Sequence, residues 1–183
     1  MTPRSTYRLQ LHEGFDFDAA AAIAPYLHAL GISHVYSSPY LQAVKGSMHG
    51  YDVVDHSRVN SELGGAEGHA RFCRTLGEND LGQVLDIVPN HMSIAGHENK
   101  WWWDVLRYGH RSRYATYFDV DWNSPQPKLR VKVLLPILGE HYGRVPASGD
   151  LNLANEPRGS GLPSFYPALP TDPESIGGVA LDP

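Results

Sequence analysis

Residues 86 to 91 read D-I-V-P-N-H and close the apolar run "GQVLDIVPNH". A carboxylate at the end of a buried strand is costly unless it is paired or hydrogen-bonded. Asp86 by itself reads equally well as a helix cap or as the partner of an arginine. His91 by itself reads as an ordinary hydrogen-bonded histidine. Taken with Asn90 and the rigid Pro89, the three polar groups are expected to project from one strand end into one cleft. A second polar group is "HGYDVVDH" at 49–56, with two histidines, two aspartates and a tyrosine. The seven-residue step from His49 to His56 is no metal-binding motif, and no H-E-x-x-H or cysteine partner accompanies it, so no metal site is predicted. Tyr51 is the more informative residue. Sugar rings present apolar C–H faces that stack on aromatic rings, while their hydroxyls bond to Asp, Asn and His. Asp52 and His49 flank that tyrosine. "WWWD" at 101–104 holds three of the four tryptophans, and three adjacent residues cannot share one face of a helix or strand. At least one of them, with Trp101 as the candidate, lines a cleft or faces outward.

The elements that position these residues alternate in type. "TYRLQL" at 6–11 alternates as a half-buried strand does, with Tyr7, Leu9 and Leu11 on one side. Asp16 or Asp18 then caps a helix over "AAAAIAPYLHALG", which Pro25 kinks or restarts and Gly31 closes. "ISHVYSS" at 32–38 is a short buried strand, "GAEGHARFCRTLGEN" a second helix, and "GQVLDIV" at 82–88 a third strand, apolar enough to be buried on both faces. Strand–helix–strand–helix–strand order predicts parallel βα units with right-handed crossovers. In such folds ligands bind beyond the carboxyl ends of the strands. The polar, aromatic segments that follow the second and third strands fall there. The connection from 37 to about 65 is too long for a plain turn. Residues 131–138, "VKVLLPIL", read as one more strand or hairpin arm. The last 40 residues hold 7 Pro and 5 Gly with no period, so an irregular tail is expected over 151–183, after a first domain over 1–150.

Composition excludes several classes. The chain has 183 residues, 42% apolar and 19% charged, which suits one soluble globular domain. Its net charge of −5, without a Lys/Arg stripe, argues against nucleic acid and favours a neutral substrate. A single cysteine, Cys73, leaves no internal disulfide. No run approaches the roughly 18 apolar residues that cross a bilayer, and the N-terminus has no apolar leader, so the expected location is cytoplasmic, away from any membrane.

"DIVPNH" resembles the first signature motif of the α-amylase superfamily of glycoside hydrolases, found at the end of the third barrel strand. Over about 1–150, "TYRLQLHEGF", "YLHALGISHVYSSPYLQAVKGSMHGYDVVDHSRVNSELGG", "LDIVPNHM", "WWWDVL" and "KVLLPILGEHYG" are similar to the N-terminal part of the maltooligosyltrehalose synthases of that superfamily. The resemblance implies an α/β fold, the N-terminal portion of a (β/α)8 barrel with about three βα units. It also implies an isomerase that turns the reducing-end α-1,4 bond of a maltooligosaccharide into an α,α-1,1 bond, without a cofactor. By position, Tyr51 stacks under the sugar at the cleavage subsite, His91 hydrogen-bonds it, and Asp86 holds the arginine beside the nucleophile. Asn90 matches a residue that ligates calcium in many amylases, but this branch does not depend on calcium. Asp52, His49 and Trp101 complete the predicted binding surface.

The same family places its nucleophile on strand four in a G-x-R-x-D context, with the acid/base and a third acid on strands five and seven. No G-x-R-x-D occurs in these 183 residues, and eight units need about 250 residues. The expectation is therefore half a sugar site with no catalytic carboxylate pair and no turnover by the chain alone. The alternative is a stand-alone α-glucan-binding module. Self-association through unpaired barrel edges is a further expectation.

Overall fold

The computed structural model describes residues 2–135 together with His141, Arg144 and Pro170. The expected tail over 151–183 lies outside the described residues, apart from Pro170. Contacts divide the chain into two units, Met1–Ile94 and Ala95–Pro183.

In the first unit the order is β1 (Thr6–Leu9), α1 (Phe17–Ala22), α2 (Ala24–Ala29), β2 (His34–Ser37), β3 (Leu41–Ala43), β4 (Val53–Val59), a 3-10 turn (Ser61–Leu63), α3 (Gly65–Glu78) and β5 (Gly82–Leu85). Asp16 caps α1 by accepting the Ala19 amide at 2.9 Å. Pro25 sits in the first turn of α2, where its missing N–H costs nothing, so the helical run restarts instead of continuing. Gly31 at φ +83° closes α2. Its amide bonds to the His28 carbonyl and the Ile32 amide to that of Leu27, a paired closure that needs a left-handed residue.

β1, β2 and β5 form a parallel sheet in that order. Thr6 pairs with His34 and His34 with Gly82, so Arg8, Tyr36 and Val84 share one row. Alternation puts Leu9 and Val35 on the opposite face, where α1, α2 and α3 cover them. There Phe17 stacks on Phe72 (5.7 Å between ring centroids) and meets Tyr40 edge-on, with Leu27, Leu63 and Leu76 filling the layer. Each such apolar side chain contributes about 1.5–3 kcal/mol by leaving water. Asp18 on α1 and Arg71 on α3 pair at 2.7 Å above this layer.

Two expectations are corrected. The third strand ends at Leu85, not at residue 88, and its residues are half-buried to exposed instead of buried on both faces. The reason is that β5 is paired along one edge only, to β2, among the described residues. On β1, Leu9 and Leu11 are buried, but Tyr7 on the same side is exposed, because it lies at the start of the strand. The long connection after β2 is, as expected, more than a plain turn: β3 and β4 make an antiparallel pair with shifted register, followed by the 3-10 turn.

In the second unit, α4 (Lys100–Tyr108) carries "WWWD". Asn99, fully buried, caps it by accepting the Trp102 amide at 3.0 Å. Trp102 and Val105 are its buried residues, with the Trp102 ring 4.9 Å from that of Phe118. Residues 131–135 form neither the strand nor the hairpin arm read from the sequence; 136–138 lie outside the described residues. Val131 has φ +52°, which a strand does not tolerate. Among the described residues, no helix is long and apolar enough to cross a membrane.

Candidate functional site

Asp86 follows Val84 by two residues and so faces the same side of the sheet as Arg8 and Tyr36. The four-residue cluster at this strand end is completed from the β3–β4 hairpin by Tyr51. Arg8 donates to Asp86 Oδ2 from Nη1 (3.0 Å) and to the Tyr51 hydroxyl from Nη2 (3.0 Å). The Tyr51 hydroxyl donates in turn to Asp86 Oδ2 (2.5 Å), and the Tyr36 hydroxyl adds a longer bond to the same oxygen (3.3 Å). The Arg8 guanidinium lies over the Tyr36 ring, 4.7 Å from its centroid. Three donors on one oxygen stabilise the ionised carboxylate. The Tyr51 hydroxyl, and then Arg8 and Tyr36, hold Asp86 below the usual carboxylate range, against the opposing effect of burial. The same hydrogen bond to Asp86 pushes the Tyr51 phenol up. A general acid needs the opposite shift. Asp86 is a fixed anion, suited to bracing its neighbours.

The loop that delivers Tyr51 is tied at several points. Ser47 donates to Asp52 Oδ1 (2.5 Å) and accepts the Gly50 amide (3.1 Å). Gln10 on the chain after β1 donates to the carbonyls of Met48 (3.3 Å) and His49 (3.2 Å). Gly50 has φ +77°, and a Cβ there would lie 2.3 Å from the Pro39 carbonyl oxygen. Only glycine fits that approach. His49 Nδ1 accepts the Tyr51 amide at 3.1 Å, so its 3.8 Å approach to Asp52 Oδ1 is not a hydrogen bond. The His49 and Tyr51 rings lie 6.0 Å apart, tilted by 35°. Tyr51 remains 36% exposed as a residue although its hydroxyl is held.

Of the residues predicted from the sequence, the structure brings Tyr51, Asp86, His49 and Asp52 into this one region. Asn90 and His91 are exposed and contact each other (Nδ2 to Nδ1, 3.4 Å); neither bonds to Asp86 or Tyr51. Trp101 belongs to the second unit, where it stacks on Tyr114 (5.6 Å, 14°) and lies 5.5 Å from the Tyr117 ring. In "HGYDVVDH", His56 bonds to the Val88 carbonyl and Asp55 to Ser57 and Arg58, so its ends serve different partners. Arg8 and Tyr36 are the residues that sequence reading missed. Their signal was present: each alternates with a core residue, Leu9 or Val35, and so must face away from the helices.

The model of the α-amylase catalytic domain matches residues 17–143, more than half of the chain. The chain belongs to the α-amylase family. Its three parallel strands and their helices are part of the (β/α)8 barrel of that family. A putative maltooligosyl trehalose synthase of Mycobacterium tuberculosis is 43% identical over 155 residues, covering 80% of this chain and 20% of that protein. The structure of the maltooligosyltrehalose synthase of Arthrobacter ramosus superposes with a TM-score of 0.75 at 41% identity, over 92% of this chain and 24% of that one. Another maltooligosyl trehalose synthase structure gives 0.77 at 42% identity, over 85% and 21%. This α-amylase-family chain thus spans about a fifth of the length of the relatives it matches.

Proposed function

We propose that this chain forms the first part of the glucan site of a maltooligosyl trehalose synthase, with Tyr51 as the stacking surface for the sugar at the cleavage subsite. The observation that carries this reading is the cluster of Tyr51, Asp86 and Arg8 at the carboxyl ends of the parallel strands. His91 and Asn90, exposed on the segment beyond Asp86, would take sugar hydroxyls. Asp86 braces the site; the arginine it holds in this chain is Arg8. Substrate is a maltooligosaccharide or related α-glucan, in keeping with the names of the relatives.

The family's reaction follows the retaining scheme. One carboxylate attacks the anomeric carbon while an acid protonates the departing glucose. The glucose then returns through its own anomeric hydroxyl, the former acid takes that proton, and the α,α-1,1 bond forms as the bond from the anomeric carbon to the carboxylate breaks. These 183 residues carry no G-x-R-x-D for the nucleophile, so the chain alone performs no turnover. Incubation of the purified chain with maltopentaose should leave the reducing ends unchanged. Their loss would overturn this part of the reading.

A second reading, a glucan-binding module without catalysis, is favoured by one feature: Tyr51 is held by its hydroxyl and yet is an exposed residue. Titration calorimetry with maltohexaose on the folded chain tests it, and no heat would remove it. Self-association would satisfy the outer strands β1 and β5, each paired along one edge among the described residues.

A further inference from the structure

The guanidinium of Arg8 touches every other member of the cluster. Its plane rests on Tyr36, one nitrogen reaches Asp86 and the other reaches the Tyr51 hydroxyl. With the bond from Tyr51 to Asp86 this closes a ring of three hydrogen bonds among residues from β1, from the β3–β4 connection and from the chain just after β5. A planar, forked cation can bridge two acceptors while lying flat on an aromatic face; an ammonium cannot do all three. Gln10, two residues along the same strand end, ties the backbone of the loop that carries Tyr51. β1 and the residue just beyond it therefore hold Tyr51 at its hydroxyl and at its loop.

We infer that Arg8 is a positioning residue of the glucan site: by bridging Tyr51 and Asp86 it fixes the Tyr51 ring as a ready stacking face before sugar arrives. The inference rests on the glucan-site reading above and deepens it. Holding the ring in advance removes the ordering cost that binding would otherwise meet. Because Arg8 and Asp86 act on Tyr51 as one unit, losing either should have the effect of losing both.

The test compares the chain with its Arg8→Met, Arg8→Lys, Asp86→Asn and Arg8→Met/Asp86→Asn variants, each checked for folding by circular dichroism. Maltohexaose affinity is measured by calorimetry, and the Tyr51 phenol is titrated by absorbance, identified by difference from Tyr51→Phe. Affinity should fall by about tenfold in each single variant and by no more in the double one. Lysine should not restore it. In Arg8→Met the phenol, no longer held on Asp86, should titrate closer to an ordinary tyrosine, since the bond to Asp86 is what chiefly raises it. Additive losses, rescue by lysine or an unmoved phenol would overturn the inference. If the parent chain binds no maltohexaose, the glucan-site reading fails, and the phenol titration still decides whether the Arg8 bridge exists.

Discussion

The two faces of the parallel sheet are made from alternate residues of the same strands, yet they are held together differently. Toward the helices stand Leu9 and Val35, packed with Phe17, Phe72 and Leu76 in a layer of buried apolar side chains. On the other side stand Arg8, Tyr36 and Asp86, half-exposed and joined to Tyr51 by directional bonds. The first face gains from area removed from water and is indifferent to precise angles. The second gains little, because its charges remain hydrated; the Arg8 and Asp86 side chains are 36% and 17% exposed. What it secures is position. Stability and site are thus separable along one strand, residue by residue.

That separation can be broken or sharpened experimentally. The largest effect belongs to the apolar face. Phe72→Ala removes a fully buried ring stacked on Phe17 and should cost about 3–5 kcal/mol, a large share of the 5–15 kcal/mol typical of a domain. Urea unfolding measures it; a loss near zero would mean that the helix layer does not carry the fold.

Gly50→Ala lies between the two faces in expected effect. The left-handed backbone and the 2.3 Å approach to the Pro39 oxygen predict a cost of roughly 1–3 kcal/mol, since strain at such a position is paid locally. The loop must shift, so Tyr51 should leave Asp86 and its phenol should titrate closer to an ordinary tyrosine. A destabilised protein whose phenol has not moved would show that the loop and the cluster are independent.

The smallest effect is the pH dependence carried by Asp86. Its folded value lies below the ordinary carboxylate value, chiefly through the Tyr51 hydroxyl. The stabilisation is therefore complete above the unfolded-state value of about 3.9 and is lost as pH falls through the lower folded value. Asp86→Asn should lose less stability than the parent between about pH 5 and about pH 2, by under about 1 kcal/mol because the network is partly exposed. Urea midpoints across that range give the difference, and parallel curves would detach Asp86 from Arg8 and Tyr51 in solution.

Much of the fold was legible locally. Asp16 before an alanine-rich run, Pro25 within it and Gly31 after it specify where helices begin, restart and end, because caps and breakers act within a turn. Tyr51 and Asp86 were legible as chemistry-bearing residues, and the motifs around them pointed to the α-amylase family that residues 17–143 match. The β3–β4 pair was not legible: Leu41–Ala43 is short and its register shifts, so no regular alternation marks it. Nor was the exposure of β5, since an apolar strand does not state how many neighbours it has.

The amino-acid sequence by itself determined the order of the parallel strands and of the helices between them, the helix ends and the family, all of which depend on neighbours within a few residues or on motifs read in line. Only the tertiary structure decided that Arg8 meets Asp86 across 78 residues and Tyr51 meets Asp86 across 35. Strand order and register set those meetings, and they arise when the helices bury one face of the sheet and leave the alternate residues of the other to find each other.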